Sequence, residues 1–221
     1  MRPVALSLGL AMKTLSLLLL ALALALSTLA AQPRQKLITV GYDRATGCDL
    51  AWLREQLHDQ VVATETFLAA HERSVTILLV PVRLAPAPLV RGELAVTPAM
   101  QAWAQAQGAA HPEVDYLILG AERSIRFSRL AQGIRINGLA GAYNLAGSKV
   151  CLMDLRLVTR NVFAHEFTHF LGYRGAAPDA VHATDEGNLM AAASLNQWGA
   201  DEQLLRLWDA YIPVTRAQAR Q

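Results

Sequence analysis

VFAHEFTHFLGYRGAAPDAVHATDEGNLM, residues 162–190, holds three of the six histidines of this 221-residue chain. His165 and His169 stand four residues apart, with Glu166 directly after the first. On an α-helix, side chains at i and i+4 lie on one face, a turn apart. Two imidazoles so placed can grip one zinc ion, and the neighbouring carboxylate can reach a water on that metal. The segment therefore points to zinc-assisted hydrolysis, provided the rest of the chain builds a domain around such a helix.

The start of the chain has a different signature. Residues 1–31 carry Arg2 and Lys13, an apolar run from Leu15 to Leu26, and the small-residue exit Ser27-Thr28-Leu29-Ala30-Ala31. This pattern describes a secretory signal peptide cleaved after Ala30 or Ala31, with Met12 as an alternative start. The uncharged stretch from Thr14 to Ala31 also approaches membrane-spanning length, so a retained anchor is the competing reading. The expected organisation is a signal peptide over 1–31 and one domain over 32–221, exported to the periplasm or the extracellular space. Losing the signal removes two of the 20 basic residues and none of the 18 acidic ones, which leaves 18 of each. A neutral mature chain gives no electrostatic reason to expect nucleic acid or a stable membrane association. In an oxidising compartment the two cysteines, Cys48 and Cys151, are expected to pair, with two buried thiols as the alternative.

A chain of this length can bury a sizeable core. Lys36–Tyr42 and Val75–Val82 are short apolar, β-branched runs suited to strands, and Val114–Leu119 and Lys149–Leu157 read as two more. Between the first two, Leu50, Leu53, Leu57, Val61 and Leu68 recur at helical spacing behind Asp49, a suitable N-cap. Leu84–Pro98 is proline-rich and reads as a loop, and Ala99–Ala110 as a short helix. Arg123–Arg129 extends a hairpin region, and the glycine-rich Gly133–Tyr143 suits an edge strand beside a ligand. The histidine helix is expected from Thr159 to near Gly172, and a last amphipathic helix from Asp201 to Tyr211.

From the histidine helix to Met190 the chain resembles the metzincins, whose pattern is H-E-x-x-H-x-x-G-x-x-H followed by a methionine turn. His165, Glu166, His169 and Gly172 match it, while the place of the third histidine is held by Gly175. His182 follows seven residues later, and residues 182–190, HATDEGNLM, resemble the stretch from the third ligand to the turn methionine in matrixin-like members. The resemblance implies an α/β (α+β) fold. Its N-terminal subdomain, 32–172, would hold a mixed twisted sheet and two long helices; its C-terminal subdomain, 173–221, would be small and irregular with one helix. It implies Zn2+ as cofactor, held by His165, His169 and His182 across a seven-residue insertion, and a peptide or protein as substrate. Met190 would form an apolar floor beneath the metal. Gly138–Tyr143 would be the edge strand along which an extended peptide pairs, and Tyr143 or Tyr173 would help stabilise an oxyanion. Asp179 and Asp185 compete with His182 as oxygen ligands. Glu186 or Glu202 would instead give the gluzincin arrangement, against which the methionine turn argues.

Three protein ligands leave a fourth zinc position for water, the mark of a catalytic site. Glu166 would then take the water proton and pass it to the leaving amine. The alternative is a secreted zinc-binding module without peptidase activity, against which the intact Glu166 argues. The first expected strand begins soon after the cleavage site, so the resemblance implies an enzyme active on export, one restrained by a narrow cleft or a partner, or one that does not cleave proteins broadly. His58, His71 and His111 read as solvated, and the four tryptophans as packing residues.

Overall fold

Burial decides the architecture. The strands with the most continuous apolar runs, around 116–121 and 150–154, have every residue buried, as parallel strands covered on both faces must be. In this computed structural model, which describes residues 36–45, 48–122, 124–131, 134–157, 159–175, 181–191 and 197–212, eleven elements follow in order. They are β1 (Lys36–Arg44), α1 (Leu50–Ala70), β2 (Val75–Pro81), α2 (Pro98–Ala110), β3 (Tyr116–Ala121) and β4 (Ile125–Ala131). Then come β5 (Ile134–Ala140), β6 (Ala142–Asn144), β7 (Val150–Asp154), α3 (Val162–Phe170) and α4 (Glu202–Tyr211). The described residues lie in one unit, Gln35–Val214, and the signal peptide expected over 1–31 lies outside them.

The main sheet has five strands in the order β2-β1-β3-β7-β6. The first four are parallel, and β6 joins β7 antiparallel at one edge, pairing Ala142 with Met153, Tyr143 with Leu152 and Asn144 with Cys151. Alternation along the strands sends Ile38, Val40, Tyr116, Ile118, Cys151 and Met153 to the face covered by α1 and α3. Leu117, Leu119, Val150 and Leu152 face the other way, into a second cluster with Met100 and Ala104 of α2. The fold is thus the mixed α/β arrangement the sequence predicts, with an irregular segment and one helix after α3.

Helix ends follow local chemistry. Asp49 accepts the Trp52 amide at 2.8 Å, Thr97 the Met100 amide at 3.1 Å, and Asp201 the Leu204 amide at 2.8 Å. Helix α3 has no such cap of its own; Gln60 of α1, itself buried, accepts the Phe163 amide at 3.0 Å instead.

Three expectations need correction. The histidine helix starts at Val162 rather than Thr159, because the Thr159 and Asn161 side chains bond each other and Asn161 reaches the Gln197 carbonyl at 2.9 Å. The expected edge strand over Gly138–Tyr143 divides: residues up to Ala140 belong to the β4–β5 hairpin, and only Ala142–Asn144 enters the main sheet. Cys48 and Cys151 are both buried and unbridged. Strand order explains this, since Cys151 is level with Ile118 and Tyr42, two strand spacings or about 10 Å from β1. A disulfide needs Cα atoms within roughly 7 Å, and Cys48 lies six residues beyond Tyr42.

Candidate metal centre

The i, i+4 spacing does what helical geometry requires. His165 and His169 project from one face of α3 with their Nε2 atoms 3.1 Å apart. His182 comes in from the irregular segment, its ring stacked 5.4 Å from that of His165 and edge-on 5.1 Å from that of His169. One ligand atom from each of the three lies within 4.8 Å of the others. His165 is buried and the other two are half-buried, so the cluster opens to solvent on one side.

The turn after α3 explains how His182 gets there. Gly172 has φ +102°, its amide bonds the His169 carbonyl at 3.0 Å, and the Tyr173 amide bonds that of Thr168 at 3.2 Å. This is a Schellman helix stop, which a side chain at Gly172 would strain. Three residues on, Gly175 lies against the backbone of His182, and a Cβ built there would overlap the His182 carbonyl. The position where the motif would carry its third histidine therefore abuts His182. Gly175 and His182, on either side of the insertion, are therefore in contact.

Past His182 the chain folds under the cluster. The Ala183 amide bonds the Met190 carbonyl at 2.8 Å, and the Met190 amide bonds Asn188 Oδ1 at 2.8 Å. Met190 is fully buried. His165 Nδ1 lies 2.7 Å from the Leu189 carbonyl. A carbonyl only accepts, so Nδ1 carries the proton and Nε2 presents its lone pair to the cluster. Burial holds the His165 imidazolium pKa down at about 4, with nearby His182 adding to the effect and the Leu189 bond opposing it. A neutral imidazole with its far nitrogen fixed by a carbonyl is the state a divalent metal requires. The donor set thus fits a zinc-like ion.

Asp201 ties this turn to α4. Besides capping the helix, it accepts from the Tyr173 hydroxyl at 2.5 Å and from the Asn188 side-chain amide Nδ2 at 3.1 Å. That bond occupies the buried Tyr173, so it serves the clamp rather than an oxyanion. Tyr143 sits on β6 with its ring tilted against Phe127 at 5.7 Å.

Glu166, on the same helix turn, is buried. Burial pushes its carboxyl up to about 7, while a hydrogen bond from the Asn144 backbone amide of β6 opposes the rise. The described competing carboxylates, Asp185, Glu186 and Glu202, are exposed. Asp185 accepts the Gly187 amide at 2.9 Å, and the Glu202 side chain is 85% exposed near Arg206. Asp179 lies outside the described residues. His58 is exposed, His71 packs edge-on to Phe67 at 4.8 Å, and His111 pairs with Glu113 at 3.0 Å. Trp208 is buried and donates to Thr168 Oγ1 at 3.0 Å, a packing role as expected.

Asn144 and Gln60 were not signalled by sequence. Their roles depend on strand order and helix packing, and no local pattern marks them. Asp201 was legible only as the start of the last helix.

No protein-family model matches the chain, and neither does any curated protein. Among solved structures the chain is similar to metalloproteinase-II from Bacteroides fragilis, at 12% identity and a TM-score of 0.43. The match covers 79% of this chain and 52% of that one, so this chain spans about half the length of the structure it matches. At that identity and TM-score the likeness assigns no activity to this chain.

Proposed function

We propose that the chain is an exported, metzincin-type zinc endopeptidase, and that His165, His169 and His182 hold the metal through ring nitrogens. The observation that carries this reading is the convergence of three imidazoles within 4.8 Å beside a buried carboxyl on the same helix turn. When bound, zinc would supply Lewis acidity toward water and the scissile carbonyl.

The other work falls to the chain's own side chains. Glu166 lies in a dry environment that raises its proton affinity. Its carboxylate is suited to take a proton from the attacking water and release it to the leaving nitrogen. The Leu189 carbonyl fixes the His165 ring, and Met190, the next residue, is buried in the core cluster that also holds α3. An extended peptide would pair with the open edge of β6, running along Ala142–Asn144 rather than the longer stretch expected from sequence. A binding module without peptidase activity is disfavoured by Glu166, because burying a carboxyl costs stability and a purely structural zinc site has no use for it.

The test is metal analysis together with digestion of a random peptide library. Wild type and Glu166→Gln should bind one zinc each, and only wild type should cleave. Stoichiometric zinc without Glu166-dependent cleavage of any peptide would assign the chain to the binding-module class.

A further inference from the structure

The main sheet ends in β6 on one side and in β2 on the other. β2 reads VTILLVP, uncharged and rich in β-branched residues. Val75 and Ile77 point into the core beneath α1, so Thr76 and Leu78 lie on the opposite face, beside Leu37 of β1. Leu78 is 48% exposed and Leu37 54%. An apolar edge strand of this kind is a template for its own copy, because unpaired amides and carbonyls there find identical partners.

The ladder shows which of its backbone groups point outward. The Val82 amide bonds the Tyr42 carbonyl at 3.0 Å, and the Lys36 amide bonds the Ser74 carbonyl at 3.4 Å. Even-numbered residues of β2 therefore turn their backbone groups toward β1, and those of Val75, Ile77, Leu79 and Pro81 turn away from it. Proline has no amide to donate. The Ile77 amide is occupied: Glu65 Oε1, reaching across from α1, accepts it at 2.6 Å.

That position matters for self-pairing. When two β2 strands meet antiparallel about a two-fold axis, outward residues face outward residues. Pro81 cannot complete a doubly bonded pair, so any register with more than one such pair uses the Ile77 amide. Pairing must then strip that amide from Glu65 and leave a half-buried carboxylate unmet at the seam.

We infer that Glu65 closes the β2 edge against pairing with a second copy of this chain. This role goes beyond the peptidase reading and depends on neither metal nor cleavage.

The test is sedimentation velocity of the chain as exported, zinc-loaded, over a concentration series, together with hydrogen exchange at the Ile77 amide. Wild type should remain a monomer. Glu65→Ala and Glu65→Met both remove the acceptor, and methionine keeps the length of the side chain. Each should self-associate as concentration rises, and at the lowest concentration the Ile77 amide should exchange about tenfold faster. Glu65→Gln keeps an amide oxygen as acceptor and should stay monomeric. So should Glu55→Ala, which removes the same charge from an exposed position of α1. Adding Leu78→Lys to Glu65→Ala should restore the monomer, because a lysine on an edge strand opposes pairing.

A wild-type dimer overturns the inference, as does a monomer at every concentration, or wild-type Ile77 exchange, in both Glu65→Ala and Glu65→Met. Association of Glu55→Ala or Glu65→Gln, or association of Glu65→Ala that Leu78→Lys leaves unchanged, overturns it as well. Should Glu65→Ala fail to fold, Glu65→Met with and without Leu78→Lys decides by the same readings.

Discussion

The sheet with its helices and the segment after α3 are held by different physics. Up to Phe170, order comes from apolar burial: Phe163, Phe167, Tyr116, Ile118 and Leu57 are fully buried in one cluster beneath α1 and α3. Between Tyr173 and Asp201 the buried large apolar side chains among the described residues are Tyr173, Leu189 and Met190, and the backbone of residues 183–191 and 197–201 is fixed by hydrogen bonds converging on Asn188, Gly199 and Asp201. Burial is roughly additive in area and tolerates small shifts. A hydrogen-bonded clamp fails at single atoms, since removing one partner leaves the others buried and unmet. The first region sets the helix that carries two histidines, and the second delivers the third and orients His165.

The most direct way to break this contrast is to damage the apolar side. Phe167 stacks on Trp208 at 5.1 Å and packs edge-on to Tyr116 at the same distance. Phe167→Ala should destabilise the chain by about 3–5 kcal/mol, read from the denaturant midpoint, with no folded species retaining zinc when the protein unfolds. A loss under about 1 kcal/mol would mean that α3 is held chiefly by its polar contacts, contrary to the division drawn here.

The seam between the regions has a signature in pH. In metal-stripped protein, burial raises the Glu166 carboxyl to about 7, so the fold prefers it neutral. Below the ordinary carboxyl range, folded and unfolded states both hold the proton and no penalty exists. The penalty grows as pH rises toward about 7 and is complete above it. Glu166→Gln should therefore melt with wild type near pH 4 and be more stable above pH 7, by on the order of 2–3 kcal/mol. Equal midpoints at pH 8 would show Glu166 to be better solvated than its burial implies.

Asp201 tests the clamp. Replacing it with alanine removes the α4 cap and strands the Tyr173 hydroxyl and Asn188 amide, at a cost of about 1–3 kcal/mol. The more telling effect should be on metal. With the turn slackened, the Leu189 carbonyl no longer fixes the His165 ring, and zinc affinity should fall about 10–100-fold in a competitive chelator titration. Phe167→Ala variants that still fold should show no comparable loss.

The same division governs what could be read from sequence. Strands and helices of the buried region announce themselves through period and capping: Asp49, the Leu53–Leu57–Val61 spacing and the run at 116–121 each place an element to within a few residues. The pair His165 and His169 was legible for the same reason, since helical geometry is local. His182 was reached only through the resemblance and the NLM turn, since its approach depends on Gly175 meeting a backbone seven residues later, across residues with no periodic signal. The Cys48–Cys151 pairing and the extent of the edge strand were misread because both depend on strand order. That order follows from how the helices cover the two faces, and no short pattern encodes it.

The smallest predicted effect bears on which acidic group could replace His182. Glu202 opens α4, where a carboxylate is favoured by the unsatisfied amides of the first turn, and it pairs with Arg206 at 3.9 Å. Exposed pairs of this kind contribute about 0.5 kcal/mol or less. Glu202→Gln should therefore shift the denaturant midpoint barely and leave zinc affinity unchanged, whereas His182→Ala should weaken binding by orders of magnitude. A ligand on α4 would reverse that ranking. The clamp region would then deliver its metal ligand through a helix rather than through His182 seated against Gly175, and its hydrogen bonds would serve to dock α4 instead of shaping the turn beneath His165.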